Sequence, residues 1–121
     1  MVYYKEVEAK NGKTVKNYYM TQGDTFQNEL AIKNSTGGVV SKDLIQEVLF
    51  KLSDLDYNVE YSKEYTYSDE LSKWVIDISS EDTTQWAIDT HYYEYQITYT
   101  DGTVSTPVQA KFTVLNQIQG E

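Results

Sequence analysis

The stretch HYYEYQITYTDGTVSTPVQAKFTVLN, His91 to Asn116, carries four of the chain's twelve tyrosines and decides the reading of the fold. Tyr93, Tyr95, Ile97 and Tyr99 fall on one side of an extended chain, and Glu94, Gln96, Thr98 and Thr100 on the other. Successive side chains of a strand point to opposite faces, so this alternation marks a half-buried strand. A second run follows, with Val104, Thr106, Val108, Ala110, Phe112 and Val114 set against Ser105, Gln109, Lys111 and Thr113. Asp101-Gly102 between them predicts a two-residue hairpin of type I′, which needs positive φ at both central positions. Pro107 has no N–H to give a ladder, so the last strand is expected at an edge or bulged there.

The same period recurs upstream. Val59, Tyr61, Tyr65 and Tyr67 share a face with Lys63 and read as one strand. Phe26 to Ile32, Val48 to Leu52 and Trp74 to Ile78 alternate likewise, with Leu49 out of phase. Weaker strands at Val2–Val7 and Val15–Met20 flank an Asn11-Gly12 turn, and Gly/Asp/Asn clusters separate the rest. Two short helical pieces are predicted, one capped by Ser41 and one opening at Ser79. The intervals are too short for βαβ crossovers, so the expectation is a single all-β domain over residues 1–121, an antiparallel sandwich of seven to nine strands.

Composition narrows the function classes. Net charge is −9, and all ten basic residues are lysine. A basic patch able to displace counterions from phosphate, or to hold an anionic bilayer, is not expected, which sets aside nucleic acid and membrane as partners. With no cysteine there is no disulfide framework and no thiolate metal site. The first residues lack the layout of a signal peptide and no apolar run reaches a membrane span, so synthesis in the cytoplasm and a soluble product are expected. Asn34-Ser35-Thr36 matches a glycosylation sequon, which means little without secretion.

Chemistry-bearing residues are sparse. His91 is the sole histidine; a triad with Ser79 or Ser80 lacks a nucleophile elbow, and a solvent-facing or corner-supporting role is expected instead. Asp54-Leu55-Asp56-Tyr57-Asn58 opens like a calcium loop but has Val59 where glycine is needed and Tyr65 where glutamate is needed. No cofactor is implied, and no carboxylate pair stands out for hydrolysis. Most tyrosines alternate with the core face, where ring burial suits a pleated sheet. Those that break the pattern, Tyr3, Tyr18, Tyr57 and Tyr92, together with Trp86, form a candidate aromatic platform. Trp86, Tyr57 and Tyr92 are its principal candidates for touching a ligand or partner. Asp89, four residues before Tyr93, has the spacing of an immunoglobulin tyrosine corner, although Trp74 falls too late in strand order to be the core tryptophan.

Taken in order, Gly23-Asp24-Thr25-Phe26, Asp43-Leu44, Phe50-Lys51-Leu52, Trp74-Val75-Ile76, Glu81-Asp82-Thr83, Tyr93-Glu94-Tyr95-Gln96-Ile97, Asp101-Gly102 and Phe112-Thr113-Val114 form a series. This series resembles the N-terminal β-sandwich domain of phage upper-baseplate and related tail proteins from Gram-positive hosts, from Thr21 to Leu115. The resemblance implies an immunoglobulin-like, non-enzymatic assembly module of a virion, docking on other proteins of the particle or forming a homo-oligomer. The matched positions are core and turn residues, so no binding residue carries over, and those proteins are usually longer. The competing expectation is a carbohydrate-binding or cell-surface adhesion module that stacks polysaccharide on its exposed aromatics.

Overall fold

The computed structural model describes residues 2–8, 14–34 and 36–116. The Asn11-Gly12 turn, Ser35 of the sequon and the tail after Asn116 lie outside them. The chain folds as an all-β, immunoglobulin-like sandwich of two sheets. The larger contains β1 (Val2–Glu8), β2 (Thr14–Thr21), β4 (Ile45–Ser53), β5 (Val59–Glu64), β8 (Thr90–Tyr99) and β9 (Val104–Leu115), in the order β1-β2-β9-β8-β4-β5. The smaller contains β3 (Phe26–Leu30), β6 (Thr66–Ser68) and β7 (Lys73–Ile78), in the order β3-β7-β6. Neighbours are antiparallel except β2 and β9, which run parallel from Tyr18↔Phe112 to Thr21↔Leu115. No helix among the described residues is long and apolar enough to cross a membrane.

The sheets meet on aromatic rings. Phe26 of β3 reaches Phe50 of β4 and Phe112 of β9, with centroids 5.8 and 5.2 Å away. Asn28 of β3 bridges the layers by donating its amide to the Tyr65 and Tyr95 hydroxyls at 3.0 and 2.8 Å. The alternation of β8 holds for Tyr93, Tyr95 and Ile97, which are buried, while Tyr99 is only partly covered and His91, at the start of the strand, joins the buried set. Both helical pieces form. A 3₁₀ turn over Lys42–Leu44 is capped by the Ser41 hydroxyl, and α1 (Ser80–Thr84) by that of Ser79.

Four local expectations are corrected. The run from Val59 to Tyr67 is two strands, because the chain leaves the large sheet at Tyr65 and enters the small one at Thr66. Burial of Tyr65, which is 2% exposed and bonded through its N–H to the Val48 carbonyl, drives that crossing. The β8–β9 hairpin is not type I′. Tyr99 pairs with Thr103, Gly102 alone has positive φ (91°), and Asp101 Oδ1 accepts from both the backbone and the hydroxyl of Thr103. That is a three-residue loop closed by a left-handed glycine. Pro107 sits at the expected bulge: Tyr95 pairs with Val108 but Ile97 with Ser105, so Gln96 faces two residues. One extra residue reverses the phase of the strand, which is why Val104 and Thr106 end outside and Ser105 turns inward. Finally, Tyr93 is no tyrosine corner. Its hydroxyl donates to the Lys16 carbonyl on β2, 77 residues away in sequence, just below where β2 and β9 part.

Candidate functional site

The expected platform divides once the chain is folded. Trp86, expected to be exposed, is a core residue with 4% of its surface accessible. Its backbone N–H bonds to Thr83 at the end of α1, and that turn swings the indole between Tyr61, 5.2 Å away, and Phe112, 5.5 Å away. Trp86 thus packs in the core from the α1–β8 connection, and Trp74 is half-buried against Tyr67. Tyr18 is likewise buried, wedged among Phe26, Tyr93 and Phe112.

Tyr57 and Tyr3 are exposed and Tyr92 is half-buried, and all three belong to the outward side of the six-stranded sheet. Tyr57 is presented by the β4–β5 loop, which Asp54 organises. Asp54 Oδ1 accepts the N–H groups of Asp56 and Asn58, each at 2.9 Å, and Oδ2 accepts the Asn58 amide at 3.1 Å. These bonds, led by the Asn58 backbone N–H, hold the Asp54 carboxyl below the usual carboxylate range. The resemblance to a calcium loop therefore ends in an internal cap, with the carboxylate turned to the loop's own donors. The cap forces Tyr57 into left-handed backbone, φ 66°. Its ring stacks on Tyr92 of β8, with centroids 4.9 Å apart and planes 8° from parallel. A shallow cleft of about 180 Å³ lies beside the stack, lined by Lys51, Ser53, Val59 and Glu94 as well as the two rings.

A second stack was not legible in the sequence. Tyr3 of β1 lies on Tyr19 of β2 at 5.0 Å and 13°, and the Lys5 ammonium is 5.4 Å from the Tyr19 centroid. Tyr19 takes the opposite parity to Tyr18 and Met20, and its pairing with Tyr3 is set by the β1–β2 register. Ladder partners join the two stacks across the sheet. Tyr3 faces Tyr19, Tyr19 faces Thr113, and Thr113 faces Thr90, whose hydroxyl is 3.3 Å from that of Thr113. Thr90 and Tyr92 project from the same side of β8.

Acid–base chemistry is not assembled around His91. The imidazole is 2% exposed rather than solvent-facing. Its Nε2 donates to the Ala87 carbonyl at 2.8 Å, and its Nδ1 is 2.7 Å from Glu60 Oε1. Both nitrogens thus tie the start of β8 to the preceding loop and to β5. Ser79, its suggested partner, uses its hydroxyl to accept the Asp82 N–H. Among the described residues, no group of three or more His, Asp or Glu side chains is placed to hold a metal ion.

No family model matches the chain, and no curated protein sequence does. Among solved structures it is similar to CopC from Methylosinus trichosporium OB3b, with TM-score 0.42 and 10% identity, covering 64% of this chain and 72% of that one.

Proposed function

We propose that the chain is a non-enzymatic interaction module, a rigid β-sandwich that docks a protein partner through the outward face of its six-stranded sheet. The observation that carries this reading is the stack of exposed Tyr57 on half-buried Tyr92, held on strained backbone by a loop dedicated to that shape. Tyrosine offers large contact area with few rotatable bonds, which makes it an economical anchor for a protein surface. In each stack one ring face is already covered by the neighbouring ring, which suits close protein packing better than a sugar platform that needs open faces. The setting we propose, assembly of a phage or prophage particle, rests on the series of landmarks from Gly23 to Val114. Localisation in the virion is part of the same proposal.

The test is capture by tagged protein from lysate of prophage-induced cells, in parallel with a Tyr57→Asp variant. Recovery of identified tail proteins by the wild type, and their loss with the variant, is the expected result. Equal recovery by both overturns the role of this face, and recovery of no virion protein overturns the virion setting. A second reading, polysaccharide binding, is favoured by the polar cleft beside Tyr57, where Lys51, Ser53 and Glu94 supply donors and acceptors. Calorimetric titration with host cell-wall polysaccharide decides it, since heat that vanishes on Tyr57→Asp substitution supports sugar binding.

A further inference from the structure

We infer that the partner seated on this face is a second copy of the chain, related by a two-fold axis running along the strands. The inference rests on the face being a docking surface, and names its occupant from charge and shape.

Charge is graded across the sheet. Lys5 on β1 and Lys111 on β9 mark one side, and their ladder partners Asn17 and Tyr92 are uncharged. On the other side stand Glu64 of β5 and the loop carboxylates Asp54 and Asp56, with Glu94 and Lys51 opposite each other on β8 and β4. The apolar surface is also split between the two sides. Tyr3 is 46% exposed at the β1 edge, and Tyr57 and Val59 are 61% and 60% exposed at the β5 edge. A two-fold axis parallel to the strands, passing between β9 and β8, lays β1 of one copy over β5 of the other. Lys5 then meets the Asp54–Asp56 loop and the Tyr3–Tyr19 stack meets the Tyr57–Tyr92 stack, each contact made twice. Six strands span about 24 Å, and strands of this length give a face of similar or greater height, close to the ~800 Å² per partner of a standard interface. The same gradient disfavours the alternative axis across the strands, which would set Lys5 on Lys5 and acidic loop near acidic loop.

Net charge of −9 on each copy opposes association at long range. Salt would screen that repulsion and the Lys–Asp pairs together, so the test is a charge exchange rather than a salt series. Sedimentation velocity across the micromolar range should give a two-chain mass for the wild type. Tyr57→Asp should weaken the dimer by about tenfold or more, as loss of a central aromatic anchor does. Aspartate tolerates left-handed backbone better than tyrosine, so the loop is kept. Lys5→Glu should weaken it as well, and Lys5→Glu combined with Asp56→Lys should restore it. The Asp56 side chain is free for this exchange, since the loop uses its N–H and not its carboxylate. A one-chain mass at the highest concentration, a dimer indifferent to Tyr57→Asp and Lys5→Glu, or a double exchange that restores nothing overturns the inference. A monomer that still captures tail proteins through Tyr57 overturns self-docking alone. A dimer that captures none overturns the phage assignment alone.

Discussion

Tyr57 lies on Tyr92 with ring centroids 4.9 Å apart and planes 8° from parallel, and it does so from a backbone with φ 66°. A left-handed conformation costs a non-glycine residue about 1–2 kcal/mol. An aromatic pair returns about 0.5–1.5 kcal/mol beyond burial. The two nearly cancel, so the stability of the fold gives little reason to keep tyrosine here.

Tyr57→Asn relieves strain and loses the stack, and should move the urea midpoint by the equivalent of about 0.5 kcal/mol or less. Protein capture by the outward face should nevertheless fall sharply. A large loss of stability with capture intact would mean that Tyr57 is there for the fold.

What was legible depended on whether a residue's fate was settled by its neighbours in sequence. Tyr93, Tyr95 and Ile97 read correctly because strand period alone puts them inside. Phe50 and Leu52 read correctly for the same reason. Period fails wherever the backbone adds a residue or changes sheets. At Thr106-Pro107 one extra residue inverts the face of Val104, and at Tyr65 a buried ring ends one strand and starts another. Trp86 escapes the pattern because its burial depends on how α1 turns the chain back over Phe112. Tyr57 and Tyr92, 35 positions apart, both break the strand pattern, but that they stack depends on the Asp54 cap and the β4–β8 register.

Asn28 joins the two sheets through the Tyr65 and Tyr95 hydroxyls, and the two rings meet edge to face at 5.9 Å. Removing the amide leaves two phenols short of a partner in a buried setting. Asn28→Ala should therefore cost about 2–3 kcal/mol by denaturant unfolding. Tyr95→Phe should cost about 1 kcal/mol less in that background than in the wild type, because its partner is already gone. Strict additivity of the two substitutions would refute the shared network.

Trp86 carries the only buried side-chain polar atom without a hydrogen-bond partner among the described residues, its indole Nε1. Trp86→Ala should cost about 3–5 kcal/mol through the cavity it leaves. Trp86→Phe should cost less than half as much, since it keeps most of the ring contact and removes an unpaired donor. Fluorescence offers an independent check. Acrylamide should reach Trp74 and spare Trp86, and equal quenching of the two would contradict the burial.

Dependence on pH should show a broad plateau with different causes at its two ends. Burial pushes the Tyr18, Tyr65, Tyr93 and Tyr95 phenols above their ordinary value near 10. Above about pH 10 the unfolded chain releases these protons and the folded chain keeps them, so stability is full below that pH and falls as pH rises. Each ring contributes a slope of about 1.4 kcal/mol per pH unit, and together they should unfold the protein steeply in alkali. At the acid end the shifts have the opposite sign. The Asp54 carboxyl is held low by the Asn58 and Asp56 donors, and the Asp101 carboxyl by the Thr103 hydroxyl and N–H. Their contribution is present above about pH 4 and is lost as pH falls. Neither carboxylate is buried, so the acid limb should be shallow, and Asp54→Asn together with Asp101→Asn should flatten it further. Circular dichroism against pH, with phenolate absorbance near 295 nm recorded in parallel, checks the alkaline limb. Phenolate appearing for these four rings while the sheet signal stays intact would show that they are not sealed in the core.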